Sequence, residues 1–354
     1  MDSLEFEARY RSINRGQLAL IVAAAVVTLA MGFFFITIGM EQGSWQPIRA
    51  FKAYLDGTLE RGPTSVADKI ILLLRIPRIA MAIIAGFGLA ISGAVMQSVT
   101  RNPLVSPFTL GLSSAAAFGA SLCIVFGSGP FFESESGIIT SAFICSLLCV
   151  IIVYTISKAI GISPTVIILV GISLNYFFSA LTAGVEFFSK NHELESVVQW
   201  TFGTLNRSNW NSVVICGPMV LLGFIVIYSM GLKLDAIALN DDETVKSLGI
   251  NPERIRAVSG LMAALLTSTI ISFTGIIGFV GLIGPHMARI IIGNRHKFFI
   301  PMAGFLGAIL LFGADTVGRL IIYPVYVPVG IIISVLGVPI FIHLILSAGR
   351  EKIG

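Results

Sequence analysis

Residues 275 to 297 read GIIGFVGLIGPHMARIIIGNRHK, and this stretch decides what kind of fold the chain builds. Gly275, Gly278, Gly281 and Gly284 recur at every third position in sequence that is otherwise Ile, Leu, Val and Phe. Helices in lipid associate by close packing, because lipid is as apolar as they are, and small residues let backbones approach. Pro285 withdraws a backbone donor and bends the segment. His286 and Arg289 follow, and Arg295-His296-Lys297 brings the stretch out into water. A plain kinked span accounts for this pattern as well as a functional one does.

The rest of the chain has the same character. Its 354 residues are 55% hydrophobic and 12% charged, with a mean hydropathy of +0.92, outside the range of soluble domains. A membrane span takes about 20 apolar residues. Ten segments qualify: 18–39, 76–98, 105–126, 138–158, 164–187, 211–231, 257–276, 278–293, 299–322 and 329–347. The expected fold is therefore an all-α polytopic membrane protein of about ten transmembrane helices, one domain over residues 1–354. An even number of spans puts both termini on one side. Lysine and arginine concentrate in cytoplasmic loops. Most of the 23 basic residues, Arg9, Arg11, Arg15, Arg254, Arg295, Lys297 and Arg350 among them, fall on the side of the termini, which are thus expected in the cytoplasm. The net charge of +4 then follows from topology and implies no nucleic acid. Cys123, Cys145, Cys149 and Cys216 lie inside spans and read as small apolar residues, with no metal site expected.

Polar residues inside spans narrow the reading. Gly86, Ala90, Gly93 and Gln97 share one face of the second span, a packing face with a wetter end. Asn175, Ser179, Thr182 and Glu186 form a polar stripe on the fifth span, which lines a pathway or makes interhelical hydrogen bonds. Asp315 and Arg319 stand at i, i+4 and can neutralise one another. Arg75 and Arg78 lie at an expected outer surface, as interface anchors or as a positive pair for an acidic partner. Residues 1–17 read as a short amphipathic segment or a solvated tail. The loop of residues 41–69 carries turn residues and room for a short helix over 47–55. Residues 233–256 form the longest inner polar stretch. There Asp241, Asp242 and Glu243 open a short helix through Lys246 and Leu248, Gly249 caps it, and Asn251-Pro252 starts another that carries Arg254 and Arg256. Two short helices held at the membrane surface suit docking of a soluble partner. No Gly-Lys dipeptide occurs, so the chain has no Walker A loop and supplies no ATP hydrolysis itself.

Together LRIPR (74–78), SGAVMQ (92–97), RNPLVSP (101–107), W-x-x-G-x-L (200–205), LGINPERIR (248–256), GFVGLIGPHMAR (278–289), AD-x-x-x-R (314–319) and PVG (328–330) resemble the FecCD-type permease subunits of type II ABC importers, which take up ferric siderophores, haem and cobalamin. The resemblance covers nearly the whole chain and makes Gly281, Pro285, His286, Arg289 and Asp315 its structural motif residues. It implies a second permease subunit, two ATPase subunits that hold ATP and Mg and dock on residues 241–256, and an extracytoplasmic substrate-binding protein. That protein's acidic residues would meet Arg75, Arg78 and Arg319. It also implies cytoplasmic gate turns at Asn102-Pro103-Leu104 and Ser163-Pro164-Thr165, a location in the cytoplasmic membrane, and no cofactor on this chain. An iron chelate is the expected cargo, with haem or cobalamin as the alternative. Tyr326 departs from the family pattern, which usually has an acidic residue two positions before the PVG proline, and Phe108 departs after RNPLVSP. An ion-coupled secondary transporter and an intramembrane enzyme built on His286 are rival readings from other classes. The first leaves the inner loop without a purpose, and the second lacks a further ligand or nucleophile.

Overall fold

A computed structural model of the chain describes residues 3–37, 70–322 and 325–350, and among these it is helical throughout its ordered elements, without strands. The expected helix over 47–55 lies outside the described residues. Thirteen α-helices follow in order: α1 Ser3–Thr37, α2 Ile76–Thr100, α3 Leu112–Phe126, α4 Glu135–Ile160, α5 Pro164–Phe187, α6 Asn191–Thr201, α7 Trp210–Ser229, α8 Gly231–Leu239, α9 Asp242–Ser247, α10 Pro252–Thr274, α11 Val280–Ile292, α12 His296–Leu320 and α13 Val329–Arg350. Seven are long and apolar enough to cross a membrane, while α3, α11 and the described apolar part of α13 are shorter. Each of the ten apolar segments read from the sequence contains one helix.

Three boundaries differ from expectation, each for a local reason. Nothing breaks the chain between residues 3 and 37, so the amphipathic segment and the first span are one helix rather than two elements. The third span begins at Leu112 instead of residue 105, because Pro103 and Pro107 interrupt it and Pro107–Leu110 forms a 3-10 turn. The second span is entered through a π-helical turn, Ile71–Arg75, which brings the chain to Pro77 in the first turn of α2. Two short helices, α6 and α8, were not expected at all.

Helix α2 is the axis of the molecule, and nearly all of it from Ile79 onward is buried. It runs antiparallel to α12: Arg78 meets Asp315, Gly86 meets Gly307, and Ser98 meets His296. Helices α10 and α11 close the other sides. A Cβ on Gly93 would overlap the carbonyl oxygen of Gly281, and one on Gly86 would overlap that of Gly307. The small-residue face of α2 thus meets the glycines of α11 and α12 backbone to backbone, the arrangement that packs helices in lipid. Of the glycines in the 275–284 series, Gly281 and Gly284 serve this contact, whereas a Cβ at Gly278 would meet nothing within 4 Å. Gly93→Ala is therefore expected to destabilise the fold by about 3 kcal/mol, the upper end for overpacking. Gly278→Ala should be close to neutral, and thermal unfolding of the two purified variants separates the cases.

Helices α1, α5 and α7 lie outermost and turn large apolar side chains outward, among them Leu29, Phe33, Tyr176, Val214 and Leu221. This is the surface of a multi-pass membrane protein.

Candidate functional site

The functional side chains gather at the two ends of α2. At its C-terminal end, α9 sits between α8 and α10 with Asp242 as its hub. Asp241 caps α9 by accepting from the Thr244 N–H at 3.2 Å, Gly249 turns the chain at φ +75, and Asn251 caps α10 by accepting from the Arg254 N–H at 3.0 Å. The short helix, the Gly cap and the restart at Pro252 are the features expected from the sequence. Tertiary contacts then lock the unit in place. Arg256 is fully buried and donates to both Asp242 oxygens at 2.7 and 2.6 Å, with its Nε on the Val99 carbonyl at 3.2 Å. Arg101 donates to the Ile237 carbonyl and to Asp242, each at 2.7 Å. Arg101 ends α2 at φ 51, a strained conformation for a residue other than glycine, and these two bonds hold it there.

The Arg256 hydrogen bonds, with Arg101 adding to them against partial desolvation, hold the Asp242 carboxyl down to about 2. A carboxyl normally titrates near 4, so a depressed value means that the lock is complete above about pH 4 and is lost as pH falls through about 2. Proteolytic accessibility of residues 240–250 should stay flat from neutral pH down to about pH 4 and rise only below it.

The other residues assigned to the coupling surface point outward: Asp241, Glu243, Lys246, Leu248 and Arg254 are exposed, whereas Arg256 is a buried anchor and not part of a docking face. Sequence reasoning missed Arg101 and a second anchor nearby. Asp235 on α8 accepts from the His296 backbone N–H at 2.9 Å and pairs with its Nδ1 at 2.6 Å, while His296 Nε2 meets Ser98 at 2.6 Å. Burial opposes the Asp235 charge, but the His296 hydrogen bonds prevail and hold its carboxyl below the usual range. This joins α8, α12 and α2 in one network. The only sequence signal was a charge on each of two segments far apart in the chain.

The two gate turns lie at this same end. Asn102 accepts from the Leu104 N–H at 2.9 Å, leaving Pro103 and Leu104 exposed. Ser163 caps α5 by accepting from the Val166 N–H at 3.3 Å, with Pro164 in the first turn and Thr165 exposed.

The polar stripe on α5 divides. Asn175 and Ser179 both hydrogen-bond Ser114 of α3, and Thr182 is buried and donates to the Phe178 carbonyl at 2.9 Å. The geometry supports the interhelical reading for Asn175 and Ser179, whereas Thr182 bonds within its own helix and Glu186 is half-exposed at the far end of α5. Gln97 is buried instead of wet, and its Oε1 accepts from Arg289 at 3.1 Å. His286 and Arg289 are half-buried on α11, with Pro285 inside that helix.

At the N-terminal end of α2 a second cluster forms around Asp315, which is 2% exposed. Arg78 Nε and a terminal amine donate to Asp315 at 2.8 to 3.2 Å, and the other amine reaches Asn206 at 2.9 Å. Arg319 lies 3.5 Å from Asp315, but among the described residues its buried Nε makes no hydrogen bond. The main counter-ion of Asp315 is thus Arg78, from another helix, and not the i+4 neighbour expected from spacing. Arg78 is correspondingly a largely buried ion-pair partner rather than an outward-facing docking residue. Arg75 is half-exposed, with its guanidinium on the Ile36 carbonyl at 3.3 Å. Tyr326 donates to Asp315 at 3.1 Å and lies under the Arg78 guanidinium, 4.4 Å from its ring centre. Burial and the Asp315 charge push the Tyr326 phenol up to about 12, so it remains a donor.

Beside this cluster three separated motifs cross. A Cβ at Gly203 would strike the Ile276 carbonyl, one at Gly275 the Trp200 carbonyl, and one at Gly330 the Phe202 carbonyl. Thr204 N–H donates to the Thr274 carbonyl at 2.7 Å, and Gly330 N–H to that of Gly203 at 3.3 Å. The glycines of W-x-x-G-x-L, of the opening stretch and of PVG are therefore one structural feature.

Comparison with known proteins agrees with this architecture. The FecCD transport family matches residues 23–347. The hemin transport system permease protein HmuU of Yersinia pestis is 33% identical over 80% of this chain and 85% of its own length. The iron(3+)-hydroxamate import system permease protein FhuG of Bacillus subtilis is 30% identical over 93% of this chain and 97% of its own. A solved structure described as an inward-facing conformation of a metal-chelate type ABC transporter superposes with a TM-score of 0.81 at 27% identity, covering 93% of this chain and 99% of that one. With its buried α2 axis, its locked surface helix and the motif glycines in contact, the chain belongs to the FecCD transport family and is a multi-pass permease of an ABC importer.

Proposed function

We propose that this permease carries an iron chelate across the cytoplasmic membrane by ATP-driven alternating access, with both termini and the α9 unit on the cytoplasmic side. The observation that carries the reading is the form of α9. It is a rigid, polar surface helix tied by Asp242 to α2 and α10, and it ends in Leu248, an apolar side chain 61% exposed. A tethered helix of this kind passes the motion of a docked ATPase directly into the buried axis of the bundle. ATP and Mg reside on that partner, and a second permease chain completes the translocation path. The Asp315 end faces the substrate-binding protein, with Arg75 and Arg319 as its cationic groups and Arg78 setting their geometry through Asp315. The names of the similar permeases, which refer to hemin and iron(3+)-hydroxamate, favour an iron chelate over cobalamin.

The test is co-purification with the cognate ATPase. Leu248→Asp lies on the exposed face, so it should leave the fold intact and weaken the complex at least tenfold, about 1.4 kcal/mol. Full retention of the ATPase sinks the coupling role of α9. Uptake of ferric hydroxamate, haem and cobalamin by the reconstituted complex then decides the cargo.

A further inference from the structure

A cavity of about 210 Å³ lies where the end of α2, α8 and the α11–α12 junction meet. Gln97, Arg101, Asn102, Arg289 and Asn294 line it, and Asp235 is the carboxylate on its wall. Most of the charge around it is already matched. Asp235 is paired with His296 at 2.6 Å, and Arg101 with Asp242 at 2.7 Å. Arg289 is different. Its guanidinium donates to Gln97 Oε1 at 3.1 Å and lies 5.2 Å from the Phe299 ring centre, but among the described residues no carboxylate stands within ion-pair distance of it.

The same bond creates a second deficit. Because Oε1 of Gln97 accepts from Arg289, the amide orientation is set and Nε2 is left as the donor. Among the described residues that nitrogen is buried without an acceptor, on a side chain only 2% exposed. A buried donor without a partner is destabilising, and a half-buried cation without a counter-ion adds to that cost. Both deficits are relieved by one occupant that carries negative charge and presents acceptors in several directions. A water molecule supplies acceptors but no charge. A tetrahedral oxyanion supplies both, and its handful of heavy atoms fits the volume.

We propose that this cavity is a binding site for a phosphate-type oxyanion, held by the Arg289 guanidinium and the Gln97 amide, with Asn102 and Asn294 at its rim. Such an anion would bridge the Asn102 turn and α11. A lipid headgroup phosphate and a free anion share this chemistry.

The full-length chain in phosphatidylcholine nanodiscs, titrated with inorganic phosphate against chloride at matched ionic strength, tests the site through its thermal midpoint. A saturable rise specific to phosphate is expected. Arg289→Gln should raise the half-saturating concentration about tenfold or more, and Asn294→Ala, at an exposed position, several-fold for a single neutral hydrogen bond. In phosphatidylglycerol nanodiscs a higher starting midpoint that no longer responds to phosphate identifies a headgroup as occupant, and a persisting response identifies a free anion. Either result supports the site. If Arg289→Gln does not fold, Gln97→Met and Asn294→Ala decide. The proposal is overturned if phosphate and chloride act alike and phosphatidylglycerol adds no stability, or if the variants that fold respond as the unaltered chain does.

Discussion

Asp242→Ala is expected to destabilise the folded chain by about 3 kcal/mol, the lower end of the range for breaking a buried ion pair by removing one partner, because the Asp242 side chain is 37% exposed while that of Arg256 is fully buried. The size of the effect comes from what remains behind. Arg256 is fully buried and would keep only its bond to the Val99 carbonyl. Arg101 would stay at φ 51 with the Ile237 carbonyl as its remaining tether. Thermal unfolding in detergent measures the loss. The companion variant Asp242→Ala with Arg256→Met removes both charges and should recover most of it, because a long apolar side chain can occupy the buried site without a counter-ion. A single-variant loss below about 1 kcal/mol, as for exposed pairs, would show that the lock does not hold the loop. ATPase retention should follow stability in this pair of variants, whereas Leu248→Asp should lose the ATPase at unchanged stability. That contrast separates anchoring of α9 from contact by it.

Asp315→Ala should have an effect at least as large at the opposite end, about 3–5 kcal/mol, because here the carboxylate itself is buried. Asp315 is the carboxylate that Arg78, Arg319 and Tyr326 share, and its side chain is 2% exposed against 13% for Arg78 and 26% for Arg319. Without it two guanidinium groups face one another in a partly dry site. Tyr326→Phe removes a single hydrogen bond and should cost only about 1 kcal/mol. Urea unfolding of the two variants beside the parent chain checks both figures. If Arg319 were the principal partner, Arg78→Met would be nearly neutral; the observed bonds predict instead that it approaches the Asp315→Ala loss.

The tyrosine at position 326 is informative in another way. Against the family pattern it reads as the loss of an acidic residue, with an altered outer mouth as the consequence. In the structure it supports Asp315 through its hydroxyl and Arg78 through its ring face, so it reinforces the ion pair.

By itself the sequence determined the apolar spans, the helix stops and the caps, because these depend on local physics. Ten apolar segments each became a helix, and Asp241, Gly249 and Asn251-Pro252 delimit α9 and α10 as their backbone preferences require. It also determined the packing face of α2, since only Gly86, Ala90 and Gly93 permit the approach seen there. Only the tertiary structure decided the partners. Asp315 takes Arg78, 237 residues away, over Arg319 four residues away, because helix packing brings the Arg78 guanidinium into hydrogen-bond range and leaves Arg319 short of it. Arg256 became an internal anchor, the Asn175 and Ser179 stripe turned to Ser114, and Asp235 found His296. A charge in a sequence states what it needs, but the route of the backbone through the bundle decides which group meets that need.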